Sequence, residues 1–357
     1  MNTFGHLYRT TLFGTSHGPF VGCMVEGLEA GRKVDLEAIQ RQLDRRRPGQ
    51  SLVTSQRKED DRLEVGAGLM DGVTTGDPIV FTVRNRDAIP SHYEQFYRVP
   101  RPGHADFPAL VKHRGANDLR GGGQLSGRMT LPLTISGALA RQVLADRGVE
   151  LYAHTLRIGP VVAPPADVDA IRRNVETNPV RCADPAAARE MEAAVEAARL
   201  DGDSLGGMVE CIVTGLPVGV GEPLFASLEG HLAAVVFAIP ATKGVEFGSG
   251  FAAASMRGSE HNDPFVVREG RVETEGNNAG GILGGMSTGM PVVLRIPFKP
   301  TASIAKKQRS VDLRTMEPAE LEIRGRLDPC IVPRAVPVVE NSLAMAILDL
   351  MMLGGFL

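Results

Sequence analysis

The 357-residue chain carries 39 Lys and Arg against 42 Asp and Glu, a formal charge of −3, with 43% hydrophobic and 23% charged residues. That balance lacks the basic excess of a nucleic-acid binder and supplies apolar material for one large domain or two ordinary ones. Cys23, Cys182, Cys211 and Cys330 share no CxxC spacing, so neither a zinc site nor a disulfide framework is indicated. With no signal pattern and no run of ~18 apolar residues, a reduced, cytoplasmic protein without a membrane partner is expected.

Phe20 to Glu26 reads as a strand. Asp35 then caps a helix with Leu36, Ile39 and Leu43 on its apolar face, and Pro48-Gly49 stops it. Asp61–Leu69 and Pro78–Val83 read as strands joined by a turn-rich segment. Helices are predicted near Phe107–His113 and from Thr130 to Arg147, and a strand over Leu151–Ile158. Asp184 and Pro185 open an alanine-rich helix that runs to Leu200, with Gly202 ending it. Met208–Val213 alternates as a strand, and Leu224–Phe237 reads as a helix. Strands at Met290–Ile296 and Leu321–Ile323 precede a last helix, Val336–Met352. The strands come in antiparallel-looking groups with helices between the groups, which predicts an α+β fold. No Pro/Ser linker divides the chain and no fixed-period repeat is present, so a single domain over 1–357 is expected.

Chemistry concentrates in loops of small residues. Gly14-Thr15-Ser16-His17-Gly18 and Arg101-Pro102-Gly103-His104-Ala105-Asp106 each present a histidine, the side chain whose ordinary pKa of about 6.5 suits proton transfer near neutrality. Taken singly, each could be no more than a turn histidine. No HxH, HExxH or Cys/His cluster makes either a metal ligand. His6, His92, His113, His154, His231 and His261 have no comparable context and are read as structural. Arg45-Arg46-Arg47 fill the last turn of the first helix, where they could simply complement its dipole. They also point in different directions, and a guanidinium fork suits phosphate or carboxylate. Gly121-Gly122-Gly123-Gln124-Leu125-Ser126-Gly127-Arg128 opens a helix as an anion site without the GxxxxGK[ST] of a P-loop. Gly248-Ser249-Gly250 lacks a βαβ context, and Asp201-Gly202-Asp203-Ser204 lacks the later ligands of a calcium loop. Lys299-Pro300-Thr301-Ala302-Ser303-Ile304 offers a cation and two hydroxyls, and Asp328 stands between Arg326 and Arg334.

These segments together resemble the chorismate synthase family over almost the whole chain. The resemblance is carried by Gly14–Gly18 (usually GESHG), Asp44–Gln50, Arg101–Asp106, Ser126–Arg128, Pro240–Gly248, Asn278–Gly285, Lys299–Ile304 and Arg326–Cys330 leading to Pro333–Pro337. It implies conversion of 5-enolpyruvylshikimate 3-phosphate to chorismate and phosphate, a 1,4-anti elimination without net redox change that requires reduced FMN. It further implies helices sandwiched between antiparallel sheets, and a homotetramer. By the same resemblance Asp328 takes part in deprotonation at C6, His17 protonates the departing phosphate, and His104 stabilises the reduced flavin. Substrate contacts map to Ser16, Arg46, Arg57, Arg101, Arg128 and Arg334. Flavin contacts map to Ser126, Pro240, Ala241, Gly284, Lys299, Pro300, Thr301, Ala302, Ser303 and Arg326. No nicotinamide site is evident, so an external flavin reductase or reductant, not the chain's own use of NADPH, is expected to supply reduced FMN. The chain departs from the family pattern at Thr15, Leu52, Gln124-Leu125 and Leu327. A non-catalytic flavin- or phosphate-binding relative is the alternative those departures would fit.

Overall fold

Two antiparallel sheets, each drawn from separated stretches of chain, enclose a layer of helices. The computed structural model describes residues 2–49, 59–86, 90–323, 325 and 327–357. The first sheet comprises β1 (Thr3–Phe4), β2 (Arg9–Gly14), β3 (Phe20–Glu26), β4 (Glu64–Ala67) and β5 (Ile79–Arg84), in the order β1-β2-β3-β5-β4. The second comprises β6 (Glu150–Ile158), β7 (Val161–Val162), β8 (Gly207–Thr214), β9 (Glu246–Phe247) and β10 (Val292–Phe298), in the order β9-β10-β8-β6-β7. The helices are α1 (Leu36–Arg46), α2 (Asp106–Lys112), α3 (Thr130–Ala145), α4 (Val168–Asn174), α5 (Pro185–Leu200), α6 (Leu228–Val236), the single turn α7 (Gly258–His261) and α8 (Val332–Leu353).

Strand β10 alternates buried and part-buried residues along its whole length, the period-2 signature of a sheet with one face in the core. Helix α3 packs on the first sheet through β3, β2 and β5. Helix α8 packs on the second through β6 and β8, and the two helices pack on each other. At their crossing, a Cβ on Gly137 would stand 1.9 Å from the Asn341 carbonyl oxygen, so the backbones meet where only glycine fits. One contiguous apolar cluster runs through both sheets and the helices between them.

Capping explains the helices that the sequence marks clearly. The Asp35 carboxylate accepts from Ala38 N–H at 2.9 Å, and Asp184 accepts from Ala187 N–H at 2.7 Å with Pro185 at the first helical position. Four expectations need correction. The Leu224–Phe237 segment is broken at Ser227, whose extended backbone and side chain cap a shorter α6 through Gly230 N–H at 3.1 Å. Glu317–Leu321 is half of a separate hairpin with Gln308–Asp312, so the strand ends where Leu321–Ile323 was expected to begin. The Asp61–Leu69 strand is confined to Glu64–Ala67. Helix α8 begins at Val332, ahead of Val336, despite Pro337 inside it. Proline has no N–H for the carbonyl four residues earlier. Here Arg181 supplies the missing donor, its Nη1 reaching the Pro333 carbonyl at 2.9 Å.

Helix α8 is also long and apolar enough to cross a membrane, with a mean hydropathy of 1.6 over its most apolar window, contrary to the expectation of no such run. Of that window 89% is buried inside the protein, as in a core helix. The burial includes Glu340, whose Oε2 accepts from Arg45 and, at 2.8 Å, from Arg141, while Oε1 accepts from Ala153 N–H at 3.0 Å. Burial pushes this carboxyl up, but Arg45 and Arg141 outweigh it and hold it at about 2 against a usual value of 4.5. A carboxyl depressed on folding stabilises fully above its unfolded pKa and loses that contribution as pH falls through the folded one. The denaturation midpoint should therefore decline between about pH 4.5 and about pH 2. Glu340→Gln should lower the midpoint at neutral pH and show a shallower decline in that window, as read by denaturant titrations at a series of pH values.

Candidate active site

Five loops converge beside the N-terminal end of α8 on a cleft of about 620 Å³. The volume lies within the ~300–1,000 Å³ common for small-molecule and cofactor sites. One side is apolar, with Ala238, Ile239, Pro240, Ala241, Phe298, Ile331, Ala335 and Val338. Gly103, Ala105, Gly121, Gly127 and Ala302 contribute small residues, and the polar lining includes Arg46, His104, Ser126, Lys299, Thr301, Ser303, Asp328 and Arg334.

The loop after β2 carries Ser16 and His17. Asn85 Nδ2 clamps it by donating to the Thr15 carbonyl at 3.0 Å and the Gly18 carbonyl at 2.7 Å. The Ser16 hydroxyl is fully buried and lies 2.9 Å from the Gly121 carbonyl and 3.2 Å from His17 Nδ1. The imidazole meets Tyr93 edge-on, with ring centroids 5.1 Å apart. Gly121 adopts a φ of +60°, and a Cβ there would sit 1.9 Å from His17 Nδ1. His17 is therefore one layer behind the cleft surface, against Gly121 and Tyr93, both of which line it.

His104 reaches the cleft directly. Its Nδ1 lies 2.7 Å from Asp106 Oδ1 and 3.1 Å from Arg101 Nη2; the shorter contact, to a carboxylate, favours a proton on Nδ1 and leaves Nε2 as the acceptor. Asp106 is fully buried, and it also accepts from Arg101 N–H at 3.1 Å, Nε at 2.8 Å and Nη2 at 2.8 Å. Burial pushes the Asp106 carboxyl up, yet the hydrogen bonds from Arg101 and His104 prevail and hold it well below the usual carboxylate range. Arg101 itself stacks over Phe96 at 4.3 Å and reaches Ser303 Oγ at 3.2 Å, so it joins two cleft loops without lining the cleft.

The three arginines ending α1 diverge. Arg45 turns to Glu176 and Glu340, and Arg47 stands 3.9 Å from Asp44. Arg46, 2% exposed, points to the cleft and donates to Thr130 Oγ1 at 3.0 Å, Asp61 Oδ2 at 3.2 Å and the Gly127 carbonyl at 2.9 Å. Burial, followed by the facing guanidinium of Arg334, pushes Arg46 down to about 9, which leaves it protonated at neutral pH. Arg128 pairs with the other oxygen of Asp61 and donates to Asn85 Oδ1 at 2.8 Å. Asp61 thus sits between two guanidiniums, buried and at a φ of +46° that a non-glycine residue holds only under tertiary constraint.

Arg334, in the first turn of α8, donates to the Arg46 carbonyl at 3.3 Å and to Asp328 Oδ2 at 3.0 Å. Thr301 Oγ1 donates to the Asp328 carbonyl at 2.9 Å, fastening the Lys299–Ser303 loop to the Asp328 loop. Lys299 is pushed below its usual value by partial burial, with Lys243 adding repulsion.

The structure therefore gathers Arg46, His104, Ser126, Pro240, Ala241, Lys299, Thr301, Ala302, Ser303, Asp328 and Arg334 around one cleft, with Pro300 in the same loop. Ser16, His17, Arg101 and Arg128 form its supporting layer. Gly284 lies elsewhere, in the turn of the Ile282–Ser287 hairpin, where Leu228 N–H bonds to the neighbouring Gly285 carbonyl at the opposite end of α6 from the cleft. Arg57, Arg326 and Leu52 lie outside the described residues. Leu125 and Leu327, two of the departures from the family pattern, both line the cleft. No local pattern in the chain marks Asp61, Asn85 or Tyr93 as site residues. Asp106 was visible in its loop but carried no assigned role.

Alanine at position 121 should displace the His17 ring. Gly121→Ala is expected to shift the His17 imidazole resonances and cost ~1–3 kcal/mol of backbone strain. Gly115→Ala, at a φ of +74° with open space around it, should show only the strain. Unchanged His17 resonances in Gly121→Ala would contradict the contact.

Comparison with known proteins converges on a single family. The family model for chorismate synthase matches residues 8–352. A chorismate synthase of Korarchaeum cryptofilum is 51% identical over 346 residues, covering 97% of this chain and 96% of the relative. One from Methanocella arvoryzae is 50% identical over 356 residues, covering 100% and 95%. A crystal structure of a chorismate synthase superposes with a TM-score of 0.77 at 25% identity, covering 98% of this chain and 93% of the other.

Proposed function

The chain belongs to the chorismate synthase family, and we propose on that footing that it is a lyase converting 5-enolpyruvylshikimate 3-phosphate to chorismate and phosphate with reduced FMN as cofactor. The observation that carries the reading is the convergence on one cleft of an oriented imidazole, a carboxylate and two guanidiniums beside a largely apolar wall. The elimination breaks the C6–H bond and the C3–O bond to phosphate and forms the new double bond of the diene. It therefore needs a proton acceptor, a proton donor toward phosphate, and cations for a substrate that carries a phosphate and two carboxylates.

Arg46 and Arg334 supply the guanidinium forks for those anions. Arg128 acts on the same region through Asp61, and Arg101 acts through Asp106 and Ser303. The Asp328 carboxylate, oriented by Arg334, is the proton acceptor. His17, held against Ser16 and Gly121 one layer behind the cleft surface, is by family resemblance the source of the proton toward phosphate, delivered past the side-chain-free Gly121. His104, with Nδ1 turned to Asp106, leaves Nε2 to take up and return a proton beside the cofactor. Ser126, Pro240, Ala241 and the Lys299–Ser303 loop would hold FMN. Their fit is supported by the apolar wall, which suits a planar ring system, and by the cation and hydroxyls of that loop, which suit its phosphate. Reduced FMN, when bound, supplies the electron density that assists departure of the allylic phosphate.

A cytoplasmic homotetramer is the matching proposal for assembly. Leu224, Phe225, Phe251, Phe265 and Val267 are exposed large apolar side chains of the kind that partner subunits cover.

An anaerobic assay with chemically reduced FMN should give chorismate and phosphate in equal amounts, and folded protein without turnover would refute the reading. Aerobic NADPH with oxidised FMN should sustain no turnover by the purified chain alone. His17→Ala and His104→Ala should each slow the chemical step by ~10²–10⁴-fold with the fold retained.

Asp328→Asn should keep FMN and substrate binding while slowing the C6 proton step, which enlarges the isotope effect with deuterium at that position. Binding lost together with turnover would make Asp328 only an ion-pair partner of Arg334.

A further inference from the structure

His6, His231 and Asp349 lie outside the cleft and take no part in the chemistry above. Each offers one ligand atom, and the three atoms lie within 4.8 Å of one another. We infer that this triad binds one divalent transition-metal ion of the class that prefers imidazole, with Zn²⁺ as its representative. Two imidazoles and a carboxylate form a nitrogen–oxygen donor set suited to Zn²⁺, Ni²⁺ or Cu²⁺ and unlike the all-oxygen sets of Ca²⁺ and Mg²⁺. Three protein ligands leave a fourth position of a tetrahedron for solvent or an exogenous ligand.

The carboxylate is built as a ligand would be. Asp349 is fully buried, and its Oδ1 accepts from Leu7 N–H at 2.7 Å and Tyr8 N–H at 2.9 Å, while His6 N–H reaches both oxygens at 2.9 Å. Those bonds fix the carboxylate plane and leave Oδ2 directed at His231 Nε2, 3.0 Å away. Outer hydrogen bonds of this kind orient ligating carboxylates.

The imidazoles are similarly arranged. His6 and His231 lie nearly parallel, with centroids 5.9 Å apart and planes 22° apart, and Phe4 packs against His231 at 4.8 Å. Bonds of 2.0–2.2 Å around a tetrahedral ion place ligand atoms ~3.4 Å apart. His231 Nε2 and Asp349 Oδ2, now paired at 3.0 Å, need to part by only ~0.4 Å to admit the ion, which displaces the proton they share, and the exposed His6 side chain closes the remainder by rotation. The bound ion would join the N-terminal segment, the first turn of α6 and the last turns of α8. Binding to the folded state alone raises its stability by mass action.

The test is titration of tag-free, chelator-stripped protein with Zn²⁺ against a chromophoric competitor, with thermal unfolding followed in parallel. The expected result is one tight Zn²⁺ per chain and a melting temperature that rises with Zn²⁺. His6→Ala removes an exposed ring yet keeps the backbone N–H that Asp349 accepts, so it leaves the fold intact. It should weaken Zn²⁺ binding by at least ~10–100-fold and abolish the rise in melting temperature. His231→Ala should do the same, and the exposed His113→Ala should change neither readout. Absence of a stoichiometric Zn²⁺ ion, parental affinity in His6→Ala, or equal weakening by His113→Ala would each overturn the assignment.

Discussion

A carboxylate in the middle of the most buried helix holds the molecule together. Glu340 receives Arg45 from α1, Arg141 from α3 and the Ala153 N–H from β6, so three elements packed against α8 are tied to one side chain. Removing one partner from a buried ion pair costs ~3–5 kcal/mol because the other charge is stranded. The constraint reaches the cleft through the chain itself. With Arg45 committed to Glu340, the next residue on α1 points about 100° further round the helix, and Arg46 enters the cleft. The Arg46 carbonyl then accepts from Arg334, which also orients Asp328. A core ion pair thereby sets the position of the charged groups that line the cleft.

The cleft arginines carry their counter-ions with them. Asp61 serves both Arg46 and Arg128, and Asp328 serves Arg334. Such pairing keeps like charges from repelling one another in a buried space while no anion is present. An arriving phosphate or carboxylate adds to a prearranged set of donors and does not have to assemble one, which favours tight orientation over large motion.

Much of this was legible in the chain, for identifiable reasons. Helices α1 and α5 announce themselves through Asp35 and Asp184, because a capping carboxylate and a periodic apolar face are local signals. The histidine loops and the Lys299–Ser303 loop are legible because small residues around a titratable or cationic group are unusual. Ser227 was missed because a serine inside an apolar stretch reads equally as helix interior or cap, and only its extended backbone decides. Asp61 was missed because its role depends on two arginines, 15 and 67 positions away, that converge only after folding. The short strands β1 and β2 were missed because their pairing, and the Asp349 carboxylate that gathers the backbone between them, come from tertiary contacts.

Helix α8 packs on the second sheet and, through α3, joins it to the first, yet it follows both sheets in the order of synthesis. During translation the apolar faces of β2, β3 and β5, and later those of β6, β8 and β10, emerge from the ribosome before the helix that joins them exists. At ~5–20 residues per second, the interval between completion of β5 and emergence of α8 is on the order of ten seconds or more. Helix α3 covers the first sheet early in that interval, but the surfaces of α3, β6 and β8 that meet α8 stay unpaired until it emerges, the condition in which chaperones are recruited. Gly137 sharpens this vulnerability, since its bare backbone fits only the turn of α8 around Asn341. The architecture that buries α8 at the centre of the core therefore leaves the closing of that core to a helix made after both sheets.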